Sequence, residues 1–340
     1  MSVSLVFMDG FDYLTVGNAT EKWDQIQGTA SLVTGAYGKG EGFFGGGSGG
    51  GVIGKTWPSN FVNGFHGFHY FYPVGPTNDS PICLFVETAT TQVDIRIDSL
   101  GQIYATRNGT LLGSHSTTRL VVGQLYWFEV YVVIDGSAGI VIVQCSGMGL
   151  SPGTVLLNLT SQNTAATANL YFNVTNLRPA GNSSWHDNFH FWTGTSSDFI
   201  GEHIIDTKLP NGAGSNAAWT PSGGGSNFAK VNEANNDGDT TYVSSATPNQ
   251  IDSYAFANLS ESAGSILAVA VNTIDRIDDA TPRTMEHFVK SSSATALGAS
   301  ISPGASFKNH QSIFQTDPNT SAAWTVSGRN AAEFGMKEIS

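Results

Sequence analysis

The chain has 340 residues, among them 40 glycines, with 40% hydrophobic, 11% aromatic and only 12% charged residues and a formal net charge of −12. That length suits two ordinary domains, each able to bury its own core. The acidic balance, with no basic cluster to offset it, argues against nucleic acid, whose affinity comes mainly from Lys and Arg, and no run of eighteen apolar residues is present to span a membrane.

In chain order, residues 1–10 lack a positive stretch followed by a long apolar run, so no secretory signal is expected. Gly49 to Thr56 spells the phosphate-loop pattern G-x-x-x-x-G-K-[ST]. Such a site needs a strand before it and a helix after it. Pro58 stands where that helix should be under way, so a glycine loop leading into a strand is expected, without a nucleotide or other cofactor. His66 and His69 are three apart in an expected strand (64–72) and point to opposite faces. A further strand is expected at 81–88. Val93 to Asp98 alternates strictly, Ser99-Leu100-Gly101 turns the chain, and Ile103 to Thr106 returns as its hairpin partner. Residues 125–134 are apolar on both faces apart from Glu129, which predicts a central strand covered on each side, with Gly139 to Cys145 pairing back. Cys83 and Cys145, both in apolar runs, read as buried reduced thiols.

Strands are also expected at 169–175 and 186–193. His186 and His190, four apart, would share a strand face with Asp187 opposite, but no third zinc ligand is visible. A boundary is expected in the small polar residues 194–198, giving domains 1–197 and 198–340. The second part predicts strands at 240–245, 252–257, 265–275, 283–290 and 312–316. An internal echo repeats Ala217-Ala218-Trp219-Thr220-Pro221-Ser222-Gly223 as Ala322-Ala323-Trp324-Thr325-Val326-Ser327-Gly328, which predicts two equivalent corners, each plugged by a Trp. The acidic segment 232–239 contains the candidate calcium ligands Asp237 and Asp239, but its spacing is imperfect and the closing Glu of a calcium loop is missing. The single helix expected has Ser327 as N-cap and runs from Gly328 to Glu333. Many short strands without alternating helices make the fold class all-β, two β-sandwich (jelly-roll) domains in tandem.

Catalysis by a β-sandwich would call for paired carboxylates across a sugar groove. Glu87, Glu129 and Glu202 stand alone, and Asp94 and Asp98 with Arg96 read as the solvated side of a hairpin. Neither a G-x-S-x-G elbow nor a Cys/His nucleophile pair is found. The expectation is therefore a protein that is not an enzyme. A weakly charged surface rich in Ser, Thr, Asn and Gly suits sugars or packing against neighbours. Trp57, Tyr70, Tyr72, Trp185, Trp192, Trp219 and Trp324 form the pool from which one or two exposed rings could stack on a pyranose, the rest being core.

Asp9-Gly10-Phe11-Asp12, Trp23, the patch Gly38 to Phe43, Trp127-Phe128-Glu129-Val130 and the closing Asp187-Asn188-Phe189-His190-Phe191 occur in that order. Residues 1 to about 195 thereby resemble the concanavalin A-like, laminin-G-type jelly roll, with Asn188 in place of the second Asp of the closing motif. Residues 200–340, through Trp219-Thr220-Pro221-Ser222, Val231-Asn232-Glu233, Asp239 to Val243, Asp275 to Asp279, Asp317 to Thr320 and Trp324 to Gly335, resemble the partner domain that follows such a jelly roll in bacteriophage virion proteins. The resemblance implies a particle-bound structural protein. Assembly in a bacterial cytoplasm, an oligomer packed against other virion proteins, and contact with host surface glycan are expected beside it. Tail association is the first expectation. A capsid decoration protein or head fibre is the alternative, with a glycan-cleaving enzyme or free lectin after it.

Overall fold

The computed structural model describes residues 3–12, 17–36, 41–72, 79–178, 184–259 and 264–340. Two compact units emerge, Met1–Ile205 and Asp206–Ser340. The boundary expected at 197/198 falls short of this division, because the polar run after residue 193 turns the chain back onto unit 1. Asp198 Oδ2 accepts from the Thr195 amide at 2.8 Å and its hydroxyl at 2.9 Å, and Trp192 Nε1 donates to the Asp198 carbonyl at 2.9 Å.

Unit 1 is built from β1 (Ser4–Asp9), β2 (Gln25–Thr34), β3 (Glu41–Phe61), β4 (Asn63–Tyr72), β5 (Ser80–Glu87), β6 (Thr90–Ile97), β7 (Ile103–Arg107), β8 (Thr110–Leu112), β9 (Gln124–Val133), β10 (Gly139–Gly147), β11 (Leu150–Gln162), β12 (Phe172–Leu177) and β13 (Trp185–Thr193). They run antiparallel in the order β11-β10-β9-β4-β13-β3-β12-β5-β6-β7-β8, with β1 on β13 and β2 on β3. Strands four places apart in a flat sheet would lie about 19 Å from each other. Yet the His66 ring of β4 stacks on Phe85 of β5 with centroids 4.0 Å apart. The sheet is therefore doubled over into two layers, and β3 makes the turn-over, pairing with β13 near Phe43 and with β12 from Ile53 onward. One apolar core fills the space between the layers, with Phe68, Phe128, Val130, Val143, Phe189 and Phe191 facing Phe85, Val93, Ile95 and Ile103.

The β6–β7 and β9–β10 hairpins form as the alternation predicts. The glycine loop expected to lead into a strand is itself strand: β3 is unbroken, with residues 41–46 and 51–54 paired with β2. β12 starts and ends later than 169–175. β9 is covered on both faces, its outer side lying under residues 198–205.

Unit 2 contains β14 (Pro210–Ala217), β15 (Thr220–Pro221), β16 (Val243–Ser244), β17 (Ile251–Phe256), β18 (Val269–Asp275), β19 (Met285–Ser291), β20 (Ala294–Leu297), β21 (Lys308–Phe314) and β22 (Glu333–Glu338). A five-stranded sheet, β14-β17-β22-β19-β20, packs against the β18–β21 pair around Val271, Val289, Trp324 and Phe334. The helix α1 (Val326–Ala331) begins earlier than expected, because the Thr325 hydroxyl, not Ser327, caps it by accepting from the Gly328 amide at 3.0 Å. The two Trp corners are not equivalent. Trp324 is buried in the core, whereas Trp219 is half-buried and is followed by Gly223, Gly224 and Gly225, all at positive φ, which a helix cannot use.

At Gly67 on β4 a Cβ would lie 2.9 Å from ring atoms of both Trp127 and Trp192. Gly67→Ala should cost about 1–3 kcal/mol, read as a lower urea midpoint. Gly136→Ala, where a Cβ meets nothing, should stay within about 0.5 kcal/mol of the parent.

Candidate functional site

Four histidines, two on β4 and two on β13, divide between the two faces of that layer. His66 points inward, with Nδ1 3.1 Å from Cys83 Sγ and Nε2 2.9 Å from the Thr175 hydroxyl. His186 also points inward, Nε2 lying 3.0 Å from the Ile82 carbonyl. His69 points outward to Glu202 at 3.0 Å. The expectation that His186 and His190 share a face is overturned. Asn188 adopts φ +52 and the ladder slips between Asp187 and His190, so His190 joins Asp187 and His69 on the outer face. Asn tolerates that backbone better than Asp's other substitutes, and its Oδ1 accepts the Ile205 amide at 2.6 Å. Burial pushes His186 and His190 down to about 3 and holds His66 well below its ordinary value. Cys83 and Cys145 are free, buried and pushed up by desolvation.

The carboxylates singled out by sequence are likewise engaged. Glu129, buried, accepts the Ile200 and Gly201 amides at 2.7 and 3.1 Å, and desolvation raises its pKa. Glu87 accepts from Asn169 at 3.0 Å. Asp94 and Asp98 are not solvated: Asp94 pairs with Arg96 at 2.7 Å and takes the Thr106 hydroxyl, while Asp98 binds the amides of its own turn and His115. Asp9 holds Lys22 at 2.7 Å and Trp23 Nε1 at 2.6 Å. Asp187 accepts the Ala36 and Asn188 amides, and burial, with Asp12 and Asp9 adding to it, pushes it up to about 8. The first and last motifs of the jelly-roll pattern are thus tied into the framework.

In unit 2, Asp237 accepts the Thr241 hydroxyl at 2.7 Å and Asp239 pairs with Arg276 at 2.7 Å. Among the described residues, no group of three or more His, Cys, Asp or Glu side chains has the arrangement of a metal site. Sequence reading missed a polar chain between the sheets: Ser312 hydroxyl to His287 Nδ1 (2.7 Å), Nε2 to Thr273 (3.0 Å), Thr273 to Asp275 (2.7 Å), Asp275 to His310 (3.0 Å). Alternation of Thr273/Asp275 facing His310/Ser312 was the signal. Despite its Ser-His-Asp content, His287 is buried and Ser312 Oγ lies so close under Gly298 that a Cβ there would meet it, so no substrate reaches the hydroxyl.

One polar set stands apart. On the outer face of β2-β3-β12-β5-β6 runs a groove of about 360 Å³ lined by Gln25, Gln27, Thr88, Thr91, Asn176 and Arg178. Its floor is aliphatic: Leu84, Val86 and Val174 form a small buried cluster, with Val52 beside it. Gly54 makes room for the wall, since a Cβ there would collide with Asn176 and crowd Gln25. The Asn176 Oδ1 is shielded from water and has no hydrogen-bond partner among the described residues. A depression in unit 2 (about 480 Å³) is larger but open, and its Ser215 and Asn216 are already bonded to Glu333 and Ser253.

No family model and no curated relative matches the sequence. Similar solved structures include the cellulose induced protein Cip1 (15% identity, 55% of this chain and 96% of that one, TM-score 0.40). Domain 4 of AbnA, a GH43 extracellular arabinanase from Geobacillus stearothermophilus in complex with arabinotriose, is similar at 13% identity over 57% and 94% of the two chains, TM-score 0.38. Trypanosoma rangeli sialidase is similar at 14% identity, covering 49% of this chain and 28% of that one, TM-score 0.35. None of the groove's six polar residues was singled out by sequence, because ending the strand at 175 hides the Val174, Asn176, Arg178 alternation. The expected aromatic platform is not here: Trp57, Tyr70, Tyr72, Trp192 and Trp324 are buried, and Trp185 and Trp219 are half-buried.

Histidines held neutral in the folded state oppose acid. The unfolded chain takes up a proton on each as pH falls below about 6.5, and the folded chain does not. Asp187 works the other way, holding its proton in the folded state up to about 8. With three histidines against two carboxyls, Asp187 and the raised Glu129, unit 1 should lose on the order of 1–2 kcal/mol per pH unit between pH 6 and 5. Urea midpoints across that range check it; a flat profile would mean that the imidazoles charge without unfolding.

Proposed function

We propose that this chain is a non-catalytic, glycan-contacting β-sandwich protein of a bacteriophage particle, tail-associated, oligomeric and packed among other virion proteins. The observation that carries the glycan reading is the groove of unit 1. Its amide, hydroxyl and guanidinium side chains make no hydrogen bonds to the described residues, while polar clusters elsewhere in the fold are spent on the framework. Over an aliphatic floor, such a lining suits sugar hydroxyls above and ring C–H groups below. With no ring to stack on, each contact is weak. Repetition over many copies would supply the avidity a particle needs to hold a host surface. Particle membership is supported by the resemblance of residues 200–340 to virion partner domains.

The non-catalytic part rests on the carboxylates. Glu87, Glu129 and Glu202 are bound to Asn169, to backbone amides and to His69, and the groove lining contains no Asp or Glu to act as acid or base. Titration of the protein with host-surface oligosaccharides, followed by amide NMR, should shift resonances of Gln25, Gln27, Asn176 and Arg178 without releasing new reducing ends. Release of reducing ends would defeat the non-catalytic reading, and mass spectrometry of purified particles finding no copy of the chain would defeat the virion reading.

A further inference from the structure

Resting on the glycan reading just given, we infer that the groove selects a sugar bearing a carboxylate, held by Arg178. The chain has 27 acidic against 15 basic side chains, so a half-buried cation ordinarily finds a carboxylate in its own protein. Exposed Arg119 has no side-chain partner among the described residues, but arginines withdrawn from solvent do find partners. Arg96 pairs with Asp94, Arg276 with Asp239 and Arg283 with Asp279, while Arg329 donates to the Ala257 carbonyl. Arg178 is half-buried in the groove wall and makes no side-chain hydrogen bond or ion pair to the described residues. Its backbone is fixed, the amide donating to the Ile82 carbonyl at 3.1 Å, so the residue continues the outer-face alternation of β12.

The neighbours complete the argument. Among the described residues of the lining there is no acidic one and Arg178 is the one formal charge, which a monoanion would neutralise. A guanidinium presents two parallel N–H groups to the two oxygens of a planar carboxylate. The Gln25 and Gln27 amides line the same groove, placed to take the hydroxyls beside that carboxylate on a sugar ring. The groove therefore reads as a site for a uronic-acid type of residue in an acidic polysaccharide, in preference to a neutral sugar or a phosphorylated one, whose second charge would go unmatched.

The test compares an oligouronate, the neutral oligosaccharide of the same linkage and a phosphorylated counterpart by amide NMR titration of the full chain. The oligouronate should bind tightest and weaken as salt is raised. Arg178→Gln should lower its affinity about tenfold or more, in the range of a lost charge-assisted hydrogen bond, and lower that of the neutral oligosaccharide far less. Arg178→Lys, keeping charge without the fork, should fall between. Equal binding of neutral and acidic sugars in the groove, or tighter binding of the phosphorylated one, would overturn the carboxylate inference while the glycan reading stands. If no oligosaccharide moves the groove resonances, the glycan reading itself falls. The salt dependence of the unmutated chain gives an arm that does not depend on a variant folding.

Discussion

Two imidazoles buried between the layers of unit 1 constrain everything built around them. His66 reaches Cys83 and Thr175, and His186 reaches the Ile82 carbonyl, from one layer to the other through an otherwise apolar core. Hydrophobic burial is non-directional and would tolerate the layers sliding past each other. A buried polar group left without its partner costs about 1–3 kcal/mol, so these contacts penalise each wrong register. They specify the way the sheet folds over more than they stabilise it.

That fold-over decides where a ligand could sit. Because His66 and His186 press β5 and β12 against β4 and β13, the opposite faces of β5 and β12 turn outward beside β2 and β3. The glycines of β3 then acquire a purpose: Gly54 lets Asn176 and Gln25 close in from either side, and a groove forms where a row of branched side chains would have filled the surface. The outer face of β4, β9 and β13 is closed, by contrast, with Phe199 packed on Phe65 and Glu129 gripping the amides of Ile200 and Gly201.

The all-β class and the hairpins at 93–106 and 125–145 were legible because strict alternation leaves few other structures for such segments. Three kinds of feature escaped. Residues 41–61 carry too many glycines to show a period of two, so only pairing with β2 reveals a strand. The face of His190 depends on one residue, Asn188, whose left-handed backbone inverts the alternation after it. The polar chain through His287 and the groove around Arg178 are assembled from distant strands, and pairing order cannot be read from local pattern. The burial of the carboxylates was not visible: Asp94 and Asp98 look solvated in sequence and are enclosed in the fold.

The thiol of Cys83 lies against an imidazole, an arrangement that in an accessible site makes a reactive thiolate. Here desolvation keeps both groups uncharged. An alkylating reagent can capture this sulfur only after the layers part, so its labelling rate is a clock for the breathing of the sandwich, already installed in the natural sequence.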